Sequence, residues 1–210
     1  MKQVLFLLFS FLYSFSFGQK FFSEGTVTYN VLSSVNGKTV SGEVKSVQSV
    51  KGSHTRIELM SAMGKTTTLF DSRDGEGAIL RDFGSQKIMI PITQEQLDNK
   101  NLKFKNIVFE YTNDTKQILN YQCQRAIASL ADGTKVEVYF SKDLVTENTE
   151  IGFQFGKLPG LALEFSSISS EATVTYKAVS VNFEPIPVQN FDIPSSGYRI
   201  LSYEESQKRK

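Results

Sequence analysis

Alternation of apolar and polar residues with a period of two is the dominant pattern of the chain. It is clearest at Val27, Tyr29 and Val31, and again at Val136, Val138 and Phe140. Because successive side chains of a β-strand point to opposite sides, this pattern predicts strands with one buried side. Turn signals recur about every ten residues, as in antiparallel β domains. The sequence therefore predicts a mainly β fold, a single curved antiparallel sheet arranged as a half-barrel or a two-layer sandwich, with one short helix.

The turn signals are mostly glycine-containing pairs. Asp132-Gly133 favours a tight hairpin because both residue types tolerate positive φ. The same kind of signal occurs at Asn36-Gly37, Met63-Gly64, Asp74-Gly75 and Gly84-Ser85. Leu158-Pro159-Gly160-Leu161 predicts a type II turn, in which proline fixes φ at the second position and glycine supplies positive φ at the third.

Residues 119–130 fit two kinds of element. Leu119, Tyr121, Cys123 and Ile127 share one side of a strand, interrupted by Arg125. A helix over the same residues would instead place Leu119, Cys123, Ala126 and Leu130 in one stripe. The Asp-Gly turn that follows, and the alternating strand after it, favour a strand.

Two further features concern a helix and a bulge. Thr93 and Gln96 have the spacing of a capping box, which predicts a short helix that ends by Asn99 or Asn101. Between Ala172 and Phe183 the apolar positions change from even to odd numbers. An extra residue in one strand produces such a change, so we expect a bulge near Ala178. Bulges curve sheets, and a curved sheet can enclose a cavity.

The segment from Lys116 to Phe165 resembles the bacterial GLPGLI family and related secreted proteins. The matching residues are Tyr121, Cys123, Arg125-Ala126, Tyr139 and Leu158-Pro159-Gly160-Leu161, and the match continues weakly to Phe191-Asp192-Ile193-Pro194 and Gly197-Tyr198. The departures are Asn120 for a glycine, Tyr139 for a tryptophan, Lys157 for a glycine and Ala162 for an isoleucine. The resemblance implies a structural role for Tyr121, Cys123, Ala126, Leu158, Pro159, Gly160 and Leu161, and no known activity. With the antiparallel plan, it suggests similarity to periplasmic lipoprotein carriers of the LolA/LolB kind, whose concave apolar face shelters acyl chains.

Residues 1–18 have the composition of a secretory signal. Lys2 precedes an apolar run from Val4 to Phe17, and small Gly18 precedes the expected cleavage site before Gln19. The alternative is a membrane anchor, but the run is shorter than the roughly 20 residues that a span needs. With no cysteine near the cleavage site, lipidation is not expected. We predict a periplasmic or secreted protein that does not span the membrane after signal removal, with one β domain (residues 19–203) and a charged flexible tail (residues 204–210).

Composition narrows the possible functions. Removal of Lys2 with the signal leaves 22 basic residues against 22 acidic ones, and this balance argues against nucleic acid as a partner. The one cysteine, Cys123, has no second cysteine in the chain for a disulfide. Its apolar neighbours favour a buried structural thiol over a reactive one.

Groups for acid–base chemistry or metal binding are few. His54 is the single histidine, in a polar turn-to-strand junction, and the expected role is structural and exposed. Zinc sites need more Cys or His ligands than this chain has. Asp71, Asp74, Glu76 and Asp82 are an alternative Ca²⁺ set, but their spacing matches no EF-hand loop and favours a solvated turn. The sequence therefore predicts no catalytic residue, no metal, no cofactor and no enzymatic activity.

The remaining hypothesis rests on shape. Aromatic residues are candidates to face an apolar ligand inside the half-barrel, namely Tyr29, Phe70, Phe109, Tyr121, Phe153, Phe155 and Phe165, with Phe83 and Phe104 as further members. For each of them, core packing is the alternative. The first functional hypothesis is binding of a lipid or of a lipoprotein acyl chain in the cell envelope. The second is an envelope interaction or scaffold protein that binds other proteins through a sheet edge or a surface patch.

Overall fold

The structure is a computed structural model that describes residues 20–35, 38–39, 42–145, 155–168 and 172–208. Three sequence predictions lie outside these ranges: the secretory signal, the Asn36-Gly37 turn and the position of Phe153. All structural statements below concern the described residues.

One large curved sheet dominates the molecule, which confirms the predicted mainly β class. Its strands in chain order are β2 (Glu24–Val35), β3 (Lys38–Thr39), β4 (Val44–Lys51), β5 (His54–Ser61), β6 (Gly64–Asp71), β7 (Glu76–Phe83), β8 (Gln86–Thr93), β9 (Val108–Ile118), β10 (Tyr121–Ser129), β11 (Lys135–Ser141), β13 (Leu161–Ile168), β14 (Ala172–Asn182) and β15 (Arg199–Ile200). A separate parallel pair joins β1 (Lys20–Phe21) to β12 (Leu144–Val145).

The spatial order in the large sheet is β15-β8-β7-β6-β5-β4-β2-β14-β13-β11-β10-β9, with β3 paired to β2. Neighbouring strands are antiparallel except at the β15 edge, where β15 runs parallel to β8. Strand β2 pairs with both β4 and β14, and it therefore joins the first series of hairpins to the strands that come from the second half of the chain.

The predicted hairpins from β5 to β8 and from β10 to β11 are confirmed. Gly75, Gly84 and Gly133 have φ of 71°, 62° and 82°, the positive range that glycine reaches without strain. At the Asp132-Gly133 turn, the Leu130 amide donates to the Thr134 carbonyl at 2.9 Å and closes the loop. The strand interpretation of residues 121–129 is thereby also confirmed.

The capping box at Thr93 begins helix α1 (Gln94–Lys100). The Thr93 hydroxyl accepts from the Gln96 amide at 3.4 Å, and the Gln96 side chain accepts from the Thr93 amide at 3.1 Å. Short 3-10 helices follow at Leu102–Phe104 and Val188–Phe191. A second helix, α2 (Tyr203–Gln207), was not predicted. It includes residues 204–207 of the segment expected to be a flexible tail (204–210), and its own capping box joins Ser202 to Glu205.

The bulge predicted near Ala178 is present. Pairing of β14 with β2 shifts between Ala178 and Ser180, so Val179 is the extra residue. Its side chain is 41% exposed while Ala178 is buried. The change of apolar parity in the sequence thus records the bulge directly.

The type II turn predicted at Leu158–Leu161 is wrong. Gly160 does not have positive φ, and the hydrogen-bonded turn lies earlier, where the Leu158 amide donates to the Phe155 carbonyl at 2.9 Å. Gly160 is required for a different reason. A Cβ at this position would lie 2.0 Å from the Ser141 carbonyl oxygen, so only glycine permits this approach of two backbones.

Cross-strand pairing defines two sides of the sheet. The inner face carries Val27, Tyr29, Phe70, Val138 and Phe165, and the outer face carries the residues between them. The largest cluster of buried residues lies on β2, β10, β11 and β13, with Phe22, Phe155 and Leu158 from connecting segments.

Two smaller clusters lie on opposite sides of β6–β8. On the inner face are Phe70, Ile79, Ile90, Ile92, Leu97 and Leu201. On the outer face are Leu69, Ala78, Leu80 and Met89, packed against Tyr198. Both clusters therefore include residues from the end of the chain.

The C-terminal segment, residues 183–208, is held along the strands from β2 to β8. The Ile186 amide donates to Glu24 Oε1 at 2.7 Å, and Arg56 Nη1 donates to the Asn190 carbonyl at 2.6 Å. Further along, the Leu201 amide donates to the Met89 carbonyl at 2.9 Å. These contacts carry the chain from the outer face around the β8 edge to the inner face.

Candidate binding face of the sheet

Six aromatic side chains form a connected group on the inner face, which we call the aromatic array: Tyr29, Phe109, Tyr111, Phe155, Phe165 and Tyr176. Phe165 is at its centre, with its ring centroid 4.7 Å from that of Tyr176 and 5.0 Å from that of Phe155. Phe155 in turn lies 6.4 Å from Phe109, which stacks on Tyr111 at 6.3 Å. Such distances are those of favourable aromatic pairs.

The array runs from the protein interior to solvent. Tyr29 is 1% exposed, Phe155 and Phe165 are each 5% exposed, and Tyr111 on the edge strand β9 is 48% exposed. The Tyr29 hydroxyl donates to the Ala162 carbonyl at 2.9 Å, and burial raises the pKa of this phenol well above its usual range. The inner end of the array is therefore fixed by packing and by a hydrogen bond, while its outer end is exposed to solvent.

The residues predicted to face a ligand divide among several places. Tyr29, Phe109, Phe155 and Phe165 belong to the array. Phe70 lies on the same face but in the small cluster under α1. Tyr121 does not join them, because it shares the outer side of β10 with Arg125, opposite the buried Ala126. Phe104 packs at the margin of the large cluster, and Phe83 is 42% exposed in the β7–β8 hairpin.

Tyr111 and Tyr176 are members that the sequence analysis missed. Both lie on strands of the sheet, but their side chains gain significance only from the strands that pair with theirs. Tyr176 faces Phe165 across the β13–β14 pair, and Tyr111 faces Ala126 across β9–β10. The small side chain of Ala126 leaves room above it, and the Tyr111 ring fills that room at 5.8 Å from Phe140.

Between the large cluster and the small inner cluster, the inner face carries a polar band of Ser46, Gln48 and Thr55. These side chains are 2%, 6% and 2% exposed. Gln48 pairs with Val27 of β2 on one side and with Ile57 of β5 on the other. Its Oε1 atom is buried and receives no hydrogen bond from any described residue.

On β9–β11 and β13 the outer face carries charged side chains that form ion pairs. Arg125 contacts both Glu137 and Asp114, at 3.0 and 3.1 Å. Lys116 contacts Glu164 at 2.6 Å and lies 3.6 Å from the Tyr139 ring centroid. This contrast with the inner face indicates which side of the sheet is suited to an apolar ligand.

Residues of the family motif have structural positions. Cys123 is fully buried and donates weakly to the Tyr121 carbonyl at 3.6 Å. Burial is the main cause that raises the pKa of its thiol to about 11, which leaves very little thiolate at neutral pH. Leu158 and Leu161 are buried beside Gly160, whereas Pro159 is exposed.

His54 occupies a different environment from the one expected. It pairs with Asp71 across β5 and β6, and its Nδ1 lies 3.2 Å from Asp71 Oδ2, so an acid does adjoin it. Its side chain is 29% exposed, and its ring lies 5.8 Å from Phe191 of the C-terminal segment. The pair lines an open cleft of about 260 Å³ together with Asp74 and Glu76.

In this cleft, the Asp71 carboxylate stabilises the turn between β6 and β7 by accepting a hydrogen bond from the Arg73 amide. Burial would raise the pKa of its carboxyl, but hydrogen bonds from Ser53 and the Arg73 amide and the nearby positive groups outweigh burial and lower it. Within the described ranges, no group of three or more His, Cys, Asp or Glu side chains is placed to hold a metal ion. Asp82, the fourth member of the suggested Ca²⁺ set, lies at the other end of β7 and pairs with Lys87.

Comparison with known proteins gives matches to structures only. No protein-family model and no curated protein sequence matches the chain. Among solved structures, PNGF-II in a P21 crystal form matches with a TM-score of 0.50 at 14% identity, over 88% of this chain and 33% of that one. MucB matches with 0.44 at 10% identity, over 82% of this chain and 58% of that one. A putative outer membrane lipoprotein-sorting protein domain from Vibrio parahaemolyticus matches with 0.38 at 7% identity, over 84% and 90%.

These similarities concern the fold. The chain spans about a third of the length of the PNGF-II chain, and every identity is too low to transfer a function. The Vibrio domain is a matched fold only at a TM-score of 0.38, and the expected likeness to periplasmic lipoprotein carriers stays a prediction. The GLPGLI resemblance stays a prediction. Of the described helices, none is long and apolar enough to cross a membrane.

Proposed function

We propose that this is an exported envelope protein that binds a lipid or another apolar ligand on the inner face of its sheet, without catalysis. The observation that carries the proposal is the aromatic array. An aromatic surface that is buried at one end and open at a sheet edge gives an acyl chain an apolar surface to lie against. Such sites are typically apolar with few polar groups.

The open end of the array lies at the β9 edge of the sheet. Tyr111 and Phe109 lie on β9, the last strand of the sheet, and Phe155 connects them to the buried Phe165. Nearly half of the Tyr111 side chain is exposed, although its ring stacks on Phe109. A ligand that enters here would replace water at Tyr111 and gain contact with rings already held in place, so little ordering cost opposes binding.

The test is binding of a dansyl-labelled long-chain fatty acid to the purified exported protein. The chain has no tryptophan, so the probe can be excited and read with little background from the protein. We expect saturable binding with a blue-shifted emission. Tyr111→Ala should weaken it roughly tenfold, because an aromatic contact is lost at the entrance.

Phe83→Ala is the matched control. Phe83 is an aromatic side chain of similar exposure at the β7–β8 hairpin, in the other half of the sheet. It should leave probe affinity unchanged. If the probe does not bind, or if the two variants weaken it equally, the array is not the site. Solvent extraction of natively purified protein followed by mass spectrometry then identifies the natural ligand.

The interaction hypothesis has one observation in its favour. Strand β9 is an edge of the sheet over 11 residues, and Val108 on it is 69% exposed. Edge strands can accept a further strand from a partner. A charge on the edge strand tests this, since charged side chains oppose the addition of a further strand. Val108→Lys should weaken capture of an envelope partner by crosslinking and spare fatty-acid binding.

A further inference from the structure

Gln48 is a buried polar side chain whose cross-strand neighbours on the inner face are apolar. It projects to the same side as Val27, which is fully buried, and its other cross-strand neighbour is Ile57. A buried amide oxygen without a donor costs about as much as a lost hydrogen bond, and most native structures avoid it. Here Oε1 is buried and no described residue donates to it.

The polar groups near Gln48 do not donate a hydrogen bond to its Oε1 atom. The Tyr29 hydroxyl, diagonal to Gln48 on the neighbouring strand, is directed to the Ala162 carbonyl. Ser46 and Thr55 lie on the same face as Gln48, and neither donates to Oε1. The polar band thus has an acceptor that the described protein leaves unsatisfied, next to the buried end of the aromatic array.

We infer that Gln48 is the polar determinant of the ligand site and accepts a hydrogen bond from the ligand. This inference rests on the proposed function and makes it more specific. The ligand is an amphiphile with a hydroxyl or amide N–H donor, and its apolar chain lies along the aromatic array. Ligands that only accept hydrogen bonds, the ionised carboxylate of a fatty acid included, still bind through their apolar chain. They leave Oε1 unpaired and bind more weakly by that one hydrogen bond, because a site built around a buried polar group discriminates against analogues that cannot pair with it.

The probes that test this are a medium-chain primary alcohol and the methyl ether of the same alcohol. They share the apolar chain and differ mainly in the donor. Affinities are measured by displacement of the dansyl fatty acid. We expect wild type to prefer the alcohol about fivefold, the effect of one neutral hydrogen bond.

Gln48→Met removes the acceptor and keeps a side chain of similar length. It should bind the ether as wild type does and lose the preference for the alcohol. It should also raise the melting temperature of the unliganded protein, because an unpaired buried oxygen is gone.

Gln124→Met is the matched control. Gln124 is another glutamine on the inner side, but its Nε2 already donates to the Thr112 carbonyl at 2.8 Å. This variant should lose stability and keep the alcohol preference. Equal affinity of wild type for alcohol and ether, or a preference for the ether, would overturn the role of Gln48 and leave the proposed function standing. Failure of wild type to bind the fatty acid and both probes would overturn the proposed function itself.

Discussion

The two halves of the sheet bury their side chains in different ways. The half formed by β2, β9–β11, β13 and β14, which we call the aromatic half, has one large cluster that joins strands and connecting segments. The half formed by β4–β8 and β15, which we call the covered half, has two small clusters on opposite sides. Both small clusters are completed by the C-terminal segment, through Tyr198 outside and Leu201 inside.

The difference teaches how each half obtains its stability. Antiparallel hairpins bring β5–β8 together locally, but their two apolar sides need covers that the hairpins do not supply. Tyr198 and Leu201, more than a hundred positions later, supply them together with Leu97 of α1. The aromatic half instead buries its residues among its own strands. We therefore expect the covered half to depend on the chain end and the aromatic half to be largely independent of it.

The largest effect is expected from a stop codon after Pro187. This removes two buried apolar side chains, Phe191 and Leu201, together with Tyr198 and β15. The loss is on the order of 5 kcal/mol, comparable to the whole stability of many domains. Hydrogen exchange measured by mass spectrometry should show lost protection in β6–β8 and retained protection in β10–β13.

Alkylation of Cys123 measures independently whether the aromatic half stays folded when the chain end is removed. Its thiol is buried in the aromatic half, and its pKa of about 11 makes it slow to alkylate in the folded state. It should stay protected from iodoacetamide in the truncated protein. If truncation exposes Cys123 and unprotects both halves together, the halves are one cooperative unit. Leu201→Ala is the milder variant should the truncated chain fail to fold.

Gly160→Ala tests the aromatic half. The added Cβ would meet the Ser141 carbonyl oxygen and carbon, which are backbone atoms and cannot move aside cheaply. We expect a loss of about 3 kcal/mol in the free energy of unfolding by urea denaturation. Pro159→Ala, one residue earlier and exposed, should change it little. A neutral Gly160→Ala would mean that the two backbones are not in contact in solution.

Leu119→Gly should act on the same half in the opposite direction. Leu119 has φ of 55° in the turn between β9 and β10, which is unfavourable for a side chain with a Cβ. Glycine relieves this strain at a position where 38% of the leucine is already exposed. We expect a gain of about 1 kcal/mol in thermal or urea unfolding. An equal or larger loss would show that packing of the Leu119 side chain matters more than its backbone.

The smallest effect concerns pH and the covered half. Burial alone would raise the pKa of Glu58, but hydrogen bonds from Arg56 and Lys65 outweigh it and hold the pKa below its usual 4.5. A carboxyl with a lowered folded pKa stabilises the fold above its unfolded pKa, and this contribution is lost as the pH falls through the folded pKa.

Glu58→Gln isolates that contribution. Wild type should be more stable than the variant at neutral pH by about 1 kcal/mol or less, and the difference should vanish between roughly pH 5 and pH 3. Urea unfolding at a series of pH values measures it. Because Arg56 also holds the Asn190 carbonyl, the loss should appear first in the covered half. A difference that stays constant over this pH range would exclude the ion pairs as its cause.

Local patterns in the sequence determined much of this fold. The period-two alternation marked the strands, the glycine pairs marked the hairpins, and Thr93 with Gln96 marked the start of α1. Even the bulge at Val179 was readable, because one extra residue reverses the parity of every apolar position after it. These features depend on a residue and its near neighbours in the chain, so the sequence by itself contains them.

The candidate site was only partly predictable. Tyr29, Phe109, Phe155 and Phe165 were identified as aromatic candidates, but which of them meet depends on strands far apart in sequence. Tyr176 joined them through its pairing with β13, and Tyr121 was excluded by the side of β10 on which it lies. Gln48 gave no signal, since its burial comes from a register with Val27 and Ile57.

Tertiary structure alone decided the remaining features. Gly160 is glycine because of Ser141, not because of its own turn. Residues 203–207 form a helix because Leu201 and Tyr203 contact β8 and α1. His54 meets Asp71 only once β5 and β6 pair. The physical reason is the same in each case. Local φ preferences and periodicity follow directly from neighbouring residues, whereas contacts between distant residues are determined only when strands far apart in sequence pair in a defined register.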